Sequence, residues 1–292
     1  MDDPRLTPAR PEVAAKYLEG KVVAKRFVAG EEFEITDALA PLRSGPFNDA
    51  ELATQALKGE RATIYDRDGE GWAWGQLNSD GYVGWLPDRA LAKPSHKPTH
   101  KITALRTFAF PGPSIKLPPA ETLVMGSLIT VLREEGSFAI THEGWYVPRH
   151  QVGPLDSREA DFVTVAEQFV GTPYLWGGKS SFGIDCSGLV QVSLNAAGIG
   201  CPRDSDMQEA ELGQSLEGDD ALDALERGDL VFWKGHVGIM TDGFMLLHAN
   251  AHHMGAVVEP VRSAAERIGR TGLAISSIKR LRQAPAAGAP PR

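Results

Sequence analysis

The chain has little cysteine, no long apolar run and no block of basic residues, and each shortage removes a class of protein. Only Cys186 and Cys201 occur among 292 residues, so a disulfide-stapled scaffold is excluded and at most one bridge could form. That bridge is unattractive, because a reducing compartment would not sustain it and it would consume Cys186, singled out below. Cys201, after Gly198-Ile199-Gly200, reads as a small buried hydrophobe. No stretch approaches the roughly eighteen apolar residues of a membrane-crossing helix, so no membrane role is expected. The formal charge is −8 and no basic run reaches five residues, which argues against nucleic acid as a partner. No P-loop or dinucleotide fingerprint is present, so no cofactor is implied. His252-His253 lacks a second cluster at ligand spacing, so no metal is implied and a solvated turn is expected. The first residues, Met1-Asp-Asp-Pro-Arg-Leu-Thr-Pro8, contain no apolar leader core. With Met1 as the native start the expectation is a cytoplasmic protein; with a leader removed it is a secreted or periplasmic one.

Ordinary fractions of charged and apolar residues and a length of 292 predict two or three domains with buried cores. Residues 1–35 form an N-terminal helical or extended segment, with a short helix expected over Pro11–Gly20. Residues 36–95 turn to short alternating strands, among them Arg61–Tyr65, Gly71–Leu77 and Gly81–Pro87, with Asp68-Gly69 and Asp80-Gly81 as turns. Residues 100–155 repeat the theme: Gly59 to Trp72 corresponds to Gly126 to Phe138. Likewise Gly84-Trp85-Leu86-Pro87 corresponds to Gly144-Trp145-Tyr146-Val147-Pro148. Pro94–Pro98 links the copies. A third domain covers 156–283, opening with a helix over Arg158–Val170. Residues 284–292 read as a disordered tail by composition.

The third domain is organised around Gly171-Thr-Pro-Tyr-Leu-Trp-Gly-Gly-Lys-Ser-Ser-Phe-Gly-Ile-Asp-Cys-Ser-Gly-Leu-Val190. Its glycine-rich half is a shaped loop, with Trp176 expected to pack beneath it. After it, Leu189, Val192 and Ala196 share a helical face and Gly198 stops the helix. Asp185 is the N-cap and Cys186 the first helical residue, where unpaired N–H groups and the helix dipole favour a thiolate and can receive an oxyanion. Downstream, His236–Thr241 and Phe244–His248 form a hairpin across Asp242-Gly243, which can bring His236 and His248 together on one face. A nucleophile, a base and a group orienting that base are what thiol-based amide hydrolysis needs.

Three motifs in order, Tyr-Leu-Trp-Gly-Gly with Asp-Cys-Ser-Gly-Leu-Val-Gln, Gly-His-Val-Gly-Ile and Leu-His-Ala, resemble the NlpC/P60 cysteine peptidases. Both all-β repeats resemble bacterial SH3 domains, the match there being looser. The resemblance implies an α+β chain: two small all-β SH3-like barrels followed by a papain-like (NlpC/P60) peptidase domain. It implies Cys186 as nucleophile, His236 as base and His248 as the third polar residue, with Tyr174 placed to donate to an oxyanion or substrate. In SH3-bearing members the positions of Asp185 and Ser187 help hold the substrate's free α-amine. Arg203 and Asp204 match the family's Pro-Arg-Asp-Ser loop; binding of substrate carboxylates and bracing of the loop as an ion pair both remain open. The first SH3 domain of such members supplies a Tyr and a Glu that close the cleft, here Tyr82 and Glu51.

The implied substrates are peptidoglycan-derived peptides of the form L-Ala-γ-D-Glu-diamino acid, cut at the γ-D-glutamyl bond during murein recycling. A secreted wall hydrolase with tethering SH3 domains, a non-catalytic wall-binding protein and an acyltransferase are the rival readings. The preferred diamino acid and the oligomeric state are not fixed by the sequence.

Overall fold

The computed structural model describes residues 3–216 and 221–281; the expected tail at 284–292 lies outside the described residues. The chain divides into two compact units, one ending at Leu155 and one starting at Asp156. Among the described residues no helix is long and apolar enough to cross a membrane.

In the N-terminal unit the described residues form strands and single-turn 3-10 helices only. Seven strands make one sheet, in the order Leu91–Ala92, Glu31–Ile35, Arg61–Arg67, Trp72–Leu77, Val83–Pro87, Leu39–Arg43, Leu52–Leu57. Alternation sends Ile35, Leu42, Leu77 and Leu86 to a core where each is fully buried. The sheet therefore starts at Glu31, inside the stretch that sequence assigned to the N-terminal segment. Phe33 and Ile35 supply the inward alternation, and Glu31–Glu34 pairs with Arg61–Ile64.

The helix expected over Pro11–Gly20 is also corrected. Val13–Ala15 is a strand between Ala9–Arg10 and Phe27–Val28, followed by one 3-10 turn at Lys16–Leu18. Val13, Ala15 and Leu18 pack against Tyr65, Trp74 and Trp85, and Arg10 lies over both tryptophan rings while pairing with Asp66. Burial of Val13, Ala14 and Ala15, with Val13 and Ala15 on this aromatic surface, overrides alanine's helix propensity.

Residues 100–154 repeat the first domain's pairing in three smaller sheets. Gly59 N–H donates to Ile35 O at 2.8 Å, and Gly126 N–H donates to Ile102 O at 2.9 Å. Pro87 and Pro148 each lead into a 3-10 turn, Asp88–Ala90 and Arg149–Gln151, and the chain then returns to pair with the first strand of its own copy. The copies dock directly. Leu128 N–H donates to Lys58 O at 2.8 Å, and Lys58 Nζ lies 2.9 Å from both Glu121 and Glu143. Gly59, at φ +80°, has no room for a side chain, since a Cβ would lie 2.2 Å from Leu128 O.

The C-terminal unit is a six-stranded antiparallel sheet with helices. Strand order is Gln214–Ser215, Ile275–Arg280, Leu230–Trp233, His236–Met240, Met245–Asn250, Gly255–Pro260. Helix α1 (Phe162–Glu167) is shorter than the expected 158–170, because Asp161 caps it by accepting from Val163 N–H. Helix α2 (Cys186–Ala196) packs on the strand His236–Met240 and is buried from Cys186 to Leu194. It is thus a central helix, apolar on more than the one face its sequence advertises. Helix α3 (Ser205–Glu211) and helix α4 (Val261–Gly269) follow. Sequence reasoning missed α4, although Val261, Ala264, Ala265 and Ile268 have helical spacing and pack on the sheet.

Candidate active site

Cys186 is the first residue of α2, and Asp185 is its N-cap, accepting from Gly188 N–H at 2.6 Å. The glycine loop wraps this cap: Gly177 N–H donates to the second Asp185 oxygen at 2.8 Å. Arg203, 1 % exposed, donates to both Asp185 oxygens at 3.0 and 2.7 Å and to Ser187 Oγ at 2.8 Å. Ser187 Oγ in turn donates to Asp185 at 3.3 Å. Arg203 therefore braces the loop through Asp185. Asp204 sits half-buried at the N-cap of α3, its carbonyl accepting from Gln208 N–H at 2.9 Å. Asp185 and Ser187 thus have an internal role, capping α2 and holding Arg203, which stands beside the amine-holding role expected of them. Both side chains are buried and engaged by the cap and the guanidinium, as a carboxylate beside a buried Arg requires.

His236 and His248 come together as the hairpin predicts. Ile239 pairs with Leu247 and Met240 with Leu246, so His236, Met240, Leu246 and His248 share one face. His236 Nε2 and His248 Nδ1 are 2.8 Å apart. The backbone N–H of Val237, next to His236, faces the Cys186 sulfur, as does the N–H of Ser187. Cys186 and the histidine pair are thus joined through the start of one strand. Trp233, paired with His236 across the ladder, places its ring 5.7 Å from the imidazole and shields it.

The array continues beyond the residues that sequence marked. His248 Nε2 lies 2.8 Å from Glu259 Oε1, and Arg267 on α4 donates to both Glu259 oxygens at 2.6 and 2.7 Å. Leu246 pairs with Glu259 and His248 with Val257, so alternation also puts Glu259 on the histidine face. No local motif marks Glu259; its place comes from pairing with Leu246, thirteen residues upstream.

Burial decides the protonation states. It pushes the Cys186 thiol up to about 12, helped by the Asp185 charge, against the lowering effect of the Val237 and Ser187 N–H groups and Arg203. The thiolate favoured by helix position alone is thus not the resting form. Burial, then repulsion between two imidazoles that would both be charged and from Arg267, lowers His236 to about 3, and burial likewise lowers His248. Burial alone would raise Glu259, but bonds from Arg267 and His248 outweigh it and hold the carboxyl at about 2. At neutral pH the site holds a thiol, two neutral imidazoles and a carboxylate.

Tyr174 stands half-buried on the glycine loop, its N–H donating to Met254 O at 3.0 Å. Burial and the charges of Cys186 and Asp185 push its hydroxyl up to about 12, so it remains a donor. Trp176 does not pack beneath the loop but is 59 % exposed, because Tyr174 and Gly177 anchor the backbone on either side. Cys186 and Cys201 are both buried and are not joined in a disulfide. His252 and His253 meet edge to face, and His253 N–H donates to Asn250; among the described residues no group of three His, Cys, Asp or Glu side chains could hold a metal.

Tyr82 and Glu51 belong to the N-terminal unit. Tyr82 is 6 % exposed and groups with that domain's apolar core; Glu51 is exposed just before the strand Leu52–Leu57. Arg43 pairs with both Leu52 and Trp85, so the two residues lie toward the same end of the sheet.

The NlpC/P60 family matches residues 171–267, and the bacterial dipeptidyl-peptidase Sh3 domain matches residues 42–91. A gamma-D-glutamyl-L-lysine dipeptidyl-peptidase of Bacillus subtilis is 30 % identical over 229 residues, which is 71 % of this chain and 75 % of its own. Dipeptidyl-peptidase 6 of Lysinibacillus sphaericus is 27 % identical over 235 residues, 73 % of this chain and 85 % of its own. The crystal structure of an NlpC/P60 family protein from Bacillus cereus superposes with a TM-score of 0.71 at 20 % identity, covering 86 % of this chain and 99 % of that one. Relatives that match through both the β-rich N-terminal part and the peptidase part assign the chain to the NlpC/P60 family of cysteine peptidases, with a bacterial SH3 domain ahead of the peptidase domain.

Proposed function

We propose that this protein hydrolyses the amide between γ-D-glutamyl and a diamino acid in peptidoglycan-derived peptides that begin with free L-Ala, releasing L-Ala-γ-D-Glu. The observation that carries the reading is the pair His236–His248 at 2.8 Å, on the strand whose Val237 N–H faces the Cys186 sulfur. The name of the similar gamma-D-glutamyl-L-lysine dipeptidyl-peptidase of Bacillus subtilis supports the bond, and that of dipeptidyl-peptidase 6 the release of a dipeptide.

In this reading the resting pair is neutral. His236 takes the Cys186 proton as the sulfur attacks the carbonyl carbon, so charge separates only when substrate is in place. The N–H of Ser187 at the start of α2 and the Tyr174 hydroxyl are donors for the oxyanion. The imidazolium then protonates the leaving amine, which departs and leaves a γ-D-glutamyl thioester on Cys186. Water, deprotonated by His236, attacks the thioester, and the thiolate recovers the proton as the acid leaves. The net reaction is amide plus water to acid plus amine. The second β repeat, with its matching turns and pairing, is read as another SH3-like barrel, and the whole enzyme as one of murein-peptide recycling.

Product analysis on two substrates tests the assignment: L-Ala-γ-D-Glu-diaminopimelate with a free amine, and the same peptide N-acetylated. Cleavage of the free peptide alone is expected. Equal cleavage of both, or faster release from intact sacculi, would replace this reading with that of a wall hydrolase.

A further inference from the structure

Glu259 and Arg267 extend the histidine pair into a four-residue chain drawn from three adjacent strands and α4. We propose that Glu259, held by Arg267, is a positioning residue that sets the tautomers of both histidines and so leaves His236 Nδ1 free to accept the Cys186 proton. The inference rests on Cys186, His236 and His248 being the reacting set.

A carboxylate can only accept, so the 2.8 Å contact with Glu259 requires the proton of His248 to sit on Nε2. A neutral imidazole has one N–H, so His248 Nδ1 must carry a lone pair. The 2.8 Å contact between the rings needs one donor, which is then His236 Nε2–H. His236 Nδ1 is left with a lone pair, the form a base requires. Each step forces the next. Without the carboxylate the opposite polarity satisfies the ring-to-ring bond equally well, with His248 Nδ1–H donating and His236 protonated on Nδ1. That tautomer cannot take a proton at Nδ1.

Arg267 makes the first step dependable. Its two bonds, at 2.6 and 2.7 Å, fix the plane of the carboxylate and favour its charged form, while Oε1 is shared with His248. Full burial of His248 excludes water as a substitute partner for its Nε2. When His236 becomes an imidazolium, the same anion stabilises it through His248.

The test compares Glu259→Gln with the wild type by nitrogen-15 spectroscopy of the histidine rings and by steady-state kinetics on the free tripeptide. The expected spectrum changes from His236 protonated on Nε2 to His236 wholly or partly protonated on Nδ1. The expected kcat falls about a hundredfold or more while KM stays within about threefold. Arg267→Met, which leaves the carboxylate present but untethered, is expected to lower kcat by about tenfold with the same sign of spectral change. If the Gln variant does not fold, the Met variant carries the test. An unchanged tautomer with kcat within about threefold in the folded variant overturns the inference. Cys186→Ala and His236→Ala separate the two levels. Activity surviving in either would remove the reacting set itself, whereas loss in both with a neutral Glu259→Gln removes only the role of Glu259.

Discussion

Cys186 is 7 % exposed beside the Asp185 carboxylate, and its proton is held more tightly than that of a free thiol. In the absence of substrate, iodoacetamide should alkylate Cys186 at pH 7 more slowly than it alkylates N-acetylcysteine, with the rate climbing through pH 9. Mass spectrometry of the labelled site against time would show this; fast, pH-independent labelling would indicate a resting thiolate. The histidine and glutamate shifts act on stability with one sign. His236 is lowered from 6.5 to about 3 and Glu259 from 4.5 to about 2, so the folded chain binds fewer protons than the unfolded one. Stability tied to His236 is therefore present above about pH 6.5 and lost as pH falls toward 3. That tied to Glu259 is present above about 4.5 and lost toward 2. Melting temperatures of wild type and His236→Ala should accordingly converge or cross as pH falls from 6.5, and a gap that stays constant would contradict the assignment.

The buried Arg203–Asp185 pair holds the glycine loop, the cap of α2 and Ser187 in one cluster. Removing one partner leaves a buried charge alone, so Arg203→Met should cost about 3–5 kcal/mol in denaturant unfolding. A loss under 1 kcal/mol would mean that the cap stands without the guanidinium. Gly188→Ala tests the same packing from the helix side, since a Cβ there would lie 2.2 Å from Gly178 O. It should lower the melting temperature although alanine is the better helix former. These elements were legible in sequence because their cues are local: an Asp cap, a glycine-rich loop, an apolar run and a Gly stop. The pairing of Arg203 with Asp185 was not. The Pro-Arg-Asp-Ser motif leaves substrate binding and loop bracing both open, and only the fold brings Asp185, eighteen residues away, onto the guanidinium. Glu259 and α4 escaped for a related reason, since neither bears a motif and their meaning comes from strand pairing.

Across the whole molecule, two β repeats precede the peptidase unit, and their docking depends on Gly59. Gly59→Ala combines a strained backbone with a clash against Leu128 O, and should destabilise the N-terminal unit by about 1–3 kcal/mol. Hydrogen exchange around residues 57–59 and 124–128 of the full chain should accelerate; unchanged protection there would contradict the docking account. The repeat itself was visible in sequence through Gly59 and Gly126 and the Trp-containing strands. Its start was misplaced because Glu31–Ile35 is short, acidic on its outer face and recognisable only from its partners.

The most direct test of the central claim is mass spectrometry of the products formed from L-Ala-γ-D-Glu-diaminopimelate in oxygen-18 water, with wild type and Cys186→Ala side by side. The account predicts free diaminopimelate and L-Ala-γ-D-Glu carrying one heavy oxygen in its γ-carboxylate, with neither product from the variant. Cleavage at another bond, or equal cleavage by Cys186→Ala, would contradict it.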